Sequence, residues 1–184
     1  WFSWGADLRI REEYFDNAVS VSKTDPLHTQ NLMRYRGRLW TSFAPVEGLT
    51  LNARIAAEPR LFLRPGFAST YRNANGTQRE GMEWRYGIID NLNVKWNNIG
   101  GSPVSVTVGR QDMLFGDFWN WWLVADGTPG DGSWTYFLDA ARVSVDAKGI
   151  KTKFDAVYIY QSARPDEWLP TLDNSWGYSL TEQN

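Results

Sequence analysis

The sequence predicts an all-β chain, antiparallel and up-and-down in topology, on three observations. Apolar and polar residues alternate with period 2 in runs that recur about every twenty residues; Gly, Pro, Asn and Asp clusters separate the runs; no amphipathic helical pattern interrupts them. The most informative run is Leu32-Met-Arg-Tyr-Arg-Gly-Arg-Leu-Trp40. Successive side chains of a strand point to opposite faces, so Arg34, Arg36, Arg38 and Trp40 share one side and Met33, Tyr35, Gly37 and Leu39 the other. A soluble sheet hides its apolar face against a second layer. A membrane barrel turns that face to lipid and its polar face to a lumen.

Residues 6–17 set Leu8, Ile10 and Tyr14 against Asp7, Arg9, Arg11 and Glu13. A polar connection around Asp25-Pro26 leads into the arginine run, which extends to about Ala44, and a tight turn at Pro45-Val-Glu-Gly48 feeds residues 49–58. There Leu51, Ala53, Ile55 and Ala57 oppose Asn52, Arg54, Ala56 and Glu58. Residues 59–81, polar and rich in Asn and Gly, predict a long loop at the other end. Residues 84–96 set Tyr86, Ile88, Leu92, Val94 and Trp96 against Arg85, Asn91, Asn93 and Lys95. A short turn at 97–102 precedes a strand over 103–113 with Val104, Val106 and Val108 on one face. Residues 114–133, dense in Trp, Gly and Asp, read as a second long connection; strands over 134–146 and 151–161 flank the tight Ala147-Lys-Gly149 turn. A third long connection, 162–174, precedes a last strand.

Short turns at one end and long loops at the other are the plan of an outer-membrane barrel, and runs of about 10 to 13 residues are long enough to cross a bilayer at a tilt. Composition agrees. The 184 residues include 11 Trp, 8 Tyr and 9 Phe, an aromatic content that suits interfacial girdles, although it also suits a sugar-binding sheet. A net charge of -2 gives no general pull toward nucleic acid. There is no cysteine, which excludes a disulfide scaffold and a thiolate metal site. The chain starts at Trp1 without a leader, which predicts either a removed signal peptide or a piece of something longer.

On the polar face, Arg9, Arg11, Arg34, Arg36, Arg38, Arg54, Arg85, Lys95, Arg142 and Lys153 form a basic set diluted by Asp7, Glu13, Glu58 and Asp155. Rings of Arg in a pore favour anions, and the guanidinium fork matches a carboxylate, so a polyanion with one carboxylate per repeating unit fits. Inward arginines also pair with neighbouring acids and merely shape a wall, so the set counts for more than any member. Trp84, Trp96 and Trp134 lie near strand ends, where interfacial anchoring is the default. Trp119, Trp121 and Trp122 sit bunched in a predicted loop. Enzymatic signals are poor: His28 lies beside a turn, and Glu12 and Glu13 alternate across a strand. The loop Asp126-Gly-Thr-Pro-Gly-Asp131 lacks EF-hand spacing and reads as a turn. No catalytic group, metal site or cofactor is predicted.

Four runs resemble the alginate export family of outer-membrane proteins: Leu92-Asn-Val-Lys-Trp96, Val106-Thr-Val-Gly-Arg-Gln-Asp-Met-Leu-Phe-Gly-Asp117, Leu123-Val-Ala-Asp-Gly-Thr-Pro-Gly-Asp-Gly132 and Phe137-Leu-Asp-Ala-Ala-Arg-Val143. Arg34-Tyr-Arg-Gly-Arg-Leu39 resembles the family's early arginine strand. The resemblance runs from Ala6 onward and is densest between Gly109 and Arg142. It implies an antiparallel transmembrane barrel of 18 strands, of which residues 1–184, a single incomplete barrel domain, would supply about the first eight. It implies a bacterial outer-membrane location, lipid around the wall, an anionic polysaccharide in the lumen, and periplasmic export components as partners. It also implies that Arg34, Arg36, Arg38, Arg110 and Arg142 line the anion path, with Asp112 a balancing acid. Alternation alone puts Arg110 on the parity of Val104, Val106 and Val108, so either a bulge at Gly109 resets the face or Arg110 lies beyond the lipid band. Phe118-Trp-Asn-Trp-Trp122 departs from the family pattern. The alternatives are a general anion-preferring porin for small carboxylates and a soluble β-sandwich carbohydrate-binding module.

Overall fold

The structure, a computed structural model, describes residues 1–18, 20–72, 78–84, 87–117, 121–125, 137–160, 162 and 168–172. It is all-β and antiparallel. The strands are β1 (Phe2–Asp16), β2 (Thr29–Val46), β3 (Leu49–Ala57), β4 (Arg60–Arg64), β5 (Phe67–Arg72), β6 (Gln78–Glu80), β7 (Met82–Glu83), β8 (Gly87–Trp96), β9 (Val104–Gln111), β10 (Leu114–Asp117), β11 (Trp121–Ala125), β12 (Leu138–Ala147) and β13 (Thr152–Ile159). Nine of them form one sheet, and β5–β6 and β10–β11 are separate two-stranded ribbons.

The backbone of the sheet is a meander, β1-β2-β3-β8-β9-β12-β13, in which every neighbouring pair is antiparallel. Three connections at one end are short: Glu47-Gly48, the turn around Ile99–Gly101 and the turn around Lys148–Ile150. At the other end β1 reaches β2 through residues 17–28, and β9 is separated from β12 by residues 112–137. Among the described residues β1 pairs only with β2 and β13 only with β12, so the sheet is not closed. No helix among the described residues is long and apolar enough to cross a membrane.

Two expected loops contain strands. β2 has 18 residues, twice the length of β3, so its far half needs another partner. β4 supplies it, with Leu32 opposite Phe62 and Arg34 opposite Arg60, and Pro59 marks the break between β3 and β4 because it lacks a ladder donor. Phe62 is buried, an apolar anchor in a stretch whose polarity had suggested a loop. Likewise Leu114 pairs with Ala125 inside the expected second loop. The last predicted strand and residues 134–136 lie outside the described residues.

One strand face also differs from expectation. The β3–β8 register shifts between Arg54 and Ile55: Arg54 faces Asn91, whereas Ile55 faces Ile89, so Asp90 is an extra residue in β8. Such a bulge reverses the alternation beyond it. Ile88, expected beside Leu92, instead sits opposite Ala56 on the polar side and is only 2% exposed.

Register then places one apolar face across seven strands. It carries Leu8 and Ile10 from β1, Leu39 from β2, Leu51 and Ile55 from β3, Leu92 and Val94 from β8, Val108 from β9, Val143 from β12, and Phe154 and Tyr158 from β13. These side chains are exposed, Leu8 to 71% and Leu39 to 47%. Leaving half of such a side chain in water forgoes about 1 kcal/mol, and over the whole face the loss is on the order of 10 kcal/mol, as large as the net stability of a typical domain. This face requires an apolar neighbour. Aromatics stand at both of its margins: Phe2, Trp4, Trp96 and Phe154 toward the short turns, Tyr14, Tyr158 and Tyr160 toward the long connections.

Candidate functional site: the charged polar face

The opposite face collects the charges, because the same alternation that sends Leu8 and Ile10 outward sends Asp7, Arg9, Arg11 and Glu13 to the other side. In register, Arg9 faces Arg36, Arg11 faces Arg34 and Asp7 faces Arg38. Like charges set directly opposite repel, so this arrangement requires interleaved acids.

Glu58, between β3 and β4, is the chief one. Its carboxylate accepts from Arg34 Nε at 3.0 Å and Nη2 at 2.6 Å, and lies 3.4 Å from both Arg9 and Arg60. Glu13 accepts from Arg34 Nη1 at 2.7 Å and is paired with Arg11. Arg34 is thus clamped between two carboxylates and only 6% exposed. Asp7 accepts from Arg38 Nε at 2.8 Å and lies 3.7 Å from Arg36. Charge-assisted forks of this kind hold side chains in one geometry, and a buried carboxylate deprived of them would be strongly destabilising.

A second knot joins three strands. Arg54 donates through Nε to Asp90 at 2.9 Å and through Nη1 and Nη2 to Asp112 at 2.7 and 2.8 Å. Burial holds the Asp112 carboxyl, just beyond the end of β9, above the ordinary range, against the pull of the Arg54 hydrogen bonds. Next to this knot the charges give way to a neutral ladder. Ser42 donates to Asn52 at 2.7 Å, Asn52 to Asn93 at 3.0 Å, and Asn93 to Asn91 at 2.8 Å and to the Arg110 carbonyl at 3.0 Å.

Beyond the ladder, the surface opens into a hollow of about 400 Å³ whose lining includes Lys95, Ser105, Thr107, Asp112, Arg142, Ser144 and Lys153. Arg142 donates to Asp155 at 2.8 Å, and Ser144 donates to the same carboxylate. A smaller hollow of about 300 Å³ lies between Arg38, Trp40, Asn52, Arg54, Asn91 and Asn93. Both are lined by residues of the polar side.

The sequence-predicted residues therefore divide. Arg9, Arg11, Arg34, Arg36, Arg38 and Arg54 gather on one half of the polar face; Lys95, Asp112 and Arg142 line the open half; Arg85 lies outside the described residues. Arg110 stands apart. Pairing runs through Gly109 with no register shift, so no extra residue resets the face, and Arg110 sits opposite Leu92 and Asp139 on the parity of Val108. It is buried, donates to Asp139 at 3.0 and 3.1 Å and to the Ile89 carbonyl at 3.0 Å, and lies under Phe137 and Trp168, whose Nε1 donates to Asp139. Its assignment to an anion path rests on the family resemblance alone.

Sequence reasoning missed Asp90, hidden by the bulge, and Arg60, hidden behind Pro59. It also did not single out the Asn52–Asn93 ladder, though Asn at 52, 91 and 93 was visible on the polar side. His28 has a neighbour that the sequence did not reveal: its Nε2 lies 3.5 Å from Asp16, and its Nδ1 is 3.0 Å from the Ser20 carbonyl. Glu12 and Glu13 diverge as alternation requires, Glu12 meeting Asn31 and Glu13 meeting Arg34. Trp119, Trp134 and residues 126–131 lie outside the described residues, as do the side chains of Trp121 and Trp122. No group of metal-ligating side chains occurs among the described residues. No family model matches the chain, and comparison with curated proteins and with solved structures finds no match.

Proposed function

We propose that this chain is part of the wall of an outer-membrane β-barrel that passes an anionic polysaccharide, a polyuronate such as alginate or its oligosaccharides, through an arginine-lined lumen without catalysis or a cofactor. The observation that carries the reading is the sidedness of the sheet. Its arginines are packed among carboxylates on one side, and its leucines, isoleucines and valines stand exposed on the other. A soluble β-sandwich has the reverse need, a dry interior for the apolar face.

Dimensions support the same reading. The ten residues of β8 rise about 34 Å, which at a tilt near 40° gives about 26 Å, matching the roughly 25 Å apolar band of outer-membrane barrels. Exposed aromatics at both margins of the face match interfacial girdles. The polyuronate assignment draws on the arginine set and on the resemblance to the alginate export family.

A second reading, an anion-preferring porin for small carboxylates, is favoured by one observation: Lys95 and Lys153 stand exposed at the larger hollow, within reach of any small anion. Planar-bilayer recording separates the two. A polymer conduit shows current blockage that grows with the concentration of a defined oligouronate; steady current without blockage leaves the small-anion porin. Solubility tests the barrel itself. The protein should be monodisperse only in detergent, and a monodisperse species in plain buffer would overturn both channel readings.

A further inference from the structure

Trp40 does not fill the role of the other tryptophans in the long strands. Trp4 and Trp96 stand on the apolar face near strand ends, where a bilayer interface suits them. Trp40 stands on the charged side, opposite Arg54 in β3 and Gly5 in β1, and is 37% exposed. Lipid cannot cover it there. The ring surface that remains exposed there suits something with an apolar face and a polar rim.

Its seat is shaped by the residue across from it. A Cβ at Gly5 would lie 2.5 Å from Trp40 Cζ2 and 2.6 Å from Cε2, so the indole rests over β1 only because residue 5 has no side chain. The smaller hollow, about 300 Å³ and at the low end of ligand-binding clefts, adjoins the ring and is walled by Arg38, Asn52, Arg54, Asn91 and Asn93. The hydrogen-bonded ladder from Ser42 through Asn52 to Asn93 holds the amides in place before any ligand arrives. An aromatic plane accepts the C–H face of a pyranose, amides meet hydroxyls, and guanidinium groups attract a carboxylate.

We propose that Trp40 is the stacking platform of a sugar subsite, in which one uronic-acid ring of the passing chain lies on the indole with its hydroxyls toward Asn52 and Asn91 and its carboxylate toward Arg38. The subsite rests on the polyuronate-channel reading above, and it gives that channel a weak resting place that a purely electrostatic lumen lacks.

The test is calorimetric titration of the detergent-solubilised full chain with a uronic-acid hexamer. Trp40→Ala should weaken binding about 3- to 10-fold, the range expected for a lost aromatic contact. Trp40→Phe should retain most of the affinity. Trp40→Leu keeps apolar bulk, and so the fold, but should lose affinity as the alanine variant does; Gly5→Ser should reproduce the loss with Trp40 still present. Wild-type affinity in Trp40→Leu, or no binding of the hexamer by the wild-type protein, overturns the subsite. Bilayer recording on the same preparations keeps the two ideas apart: hexamer blockage that is equal in wild type and Trp40→Leu leaves the channel standing without the platform.

Discussion

The two halves of the polar face handle charge differently. Around β1 to β4, Arg34 and Glu58 are almost wholly buried in a mesh of forks, and each guanidinium named there has a carboxylate within 3.7 Å. Around β8, β9, β12 and β13, hydroxyls and amides line the larger hollow, and Lys95 and Lys153 are exposed. The difference teaches that the density of arginine in a sequence does not locate the place where a solute meets charge. The crowded half is a wall that consumes its own charge; the sparse half has room and solvated cations.

The sidedness on which both halves depend is the first thing to break. Val108→Arg puts a charge on the apolar face, whereas Thr107→Arg, one residue earlier, puts it in the larger hollow. Val108→Arg should cost about 2–4 kcal/mol of stability in lipid vesicles and Thr107→Arg far less, read from urea unfolding of the reconstituted protein. Equal penalties would overturn the assignment of faces.

Next, Glu58→Gln should sharpen the contrast between the halves. Removing the carboxylate shared by Arg9, Arg34 and Arg60 strips the buried Arg34 of one of its two counter-charges, at about 3 kcal/mol. Asp146→Asn, on the exposed rim of the open half, should change stability by less than about 0.5 kcal/mol. The same unfolding assay measures both.

Permeation should respond in the opposite order. Lys95→Gln should lower the anion-over-cation permeability ratio by about twofold, with the effect fading as salt rises, because this ammonium is exposed to the solution. The reversal potential under a salt gradient reads it. No shift would move the solute path away from the hollow.

The smallest effect is that of pH at Asp112. Its raised pKa means that the carboxyl takes up a proton at higher pH than an exposed aspartate; the folded form gains stability as pH falls through that value and loses it again as pH rises. Arg38, Arg54 and Asp90 are the charges acting on it. Protonation relieves Arg54 of a counter-charge, so anion preference should rise slightly on acidification, and Asp112→Asn should flatten that part of the profile. An unchanged profile in Asp112→Asn would assign the titration to other carboxylates.

Much of this fold was legible because alternation is a local property. The arginine run and its opposing Met33, Tyr35 and Leu39 needed only the period of a strand, and the three short turns needed only their Gly, Pro and Asn residues. Features set by pairing were hidden. Asp90 reads as an ordinary strand position until the partner strand shows that it is an extra residue, and residues 60–64 read as loop because the stretch 59–81 that contains them is polar and rich in Asn and Gly, while their reason for being a strand is the unpaired length of β2. At the site, the identity of the cations was legible, but which of them were neutralised was not, since Glu58 meets Arg34 across 24 positions of sequence and Asp112 meets Arg54 across 58.

Gly109 has a φ of +117°, and a Cβ there would fall 2.4 Å from the Leu92 carbonyl oxygen and 3.1 Å from the Asn93 Cα. Only a hydrogen atom fits, and L side chains rarely adopt that torsion in any case. At this one codon the smallest methyl would wedge two neighbouring strands apart.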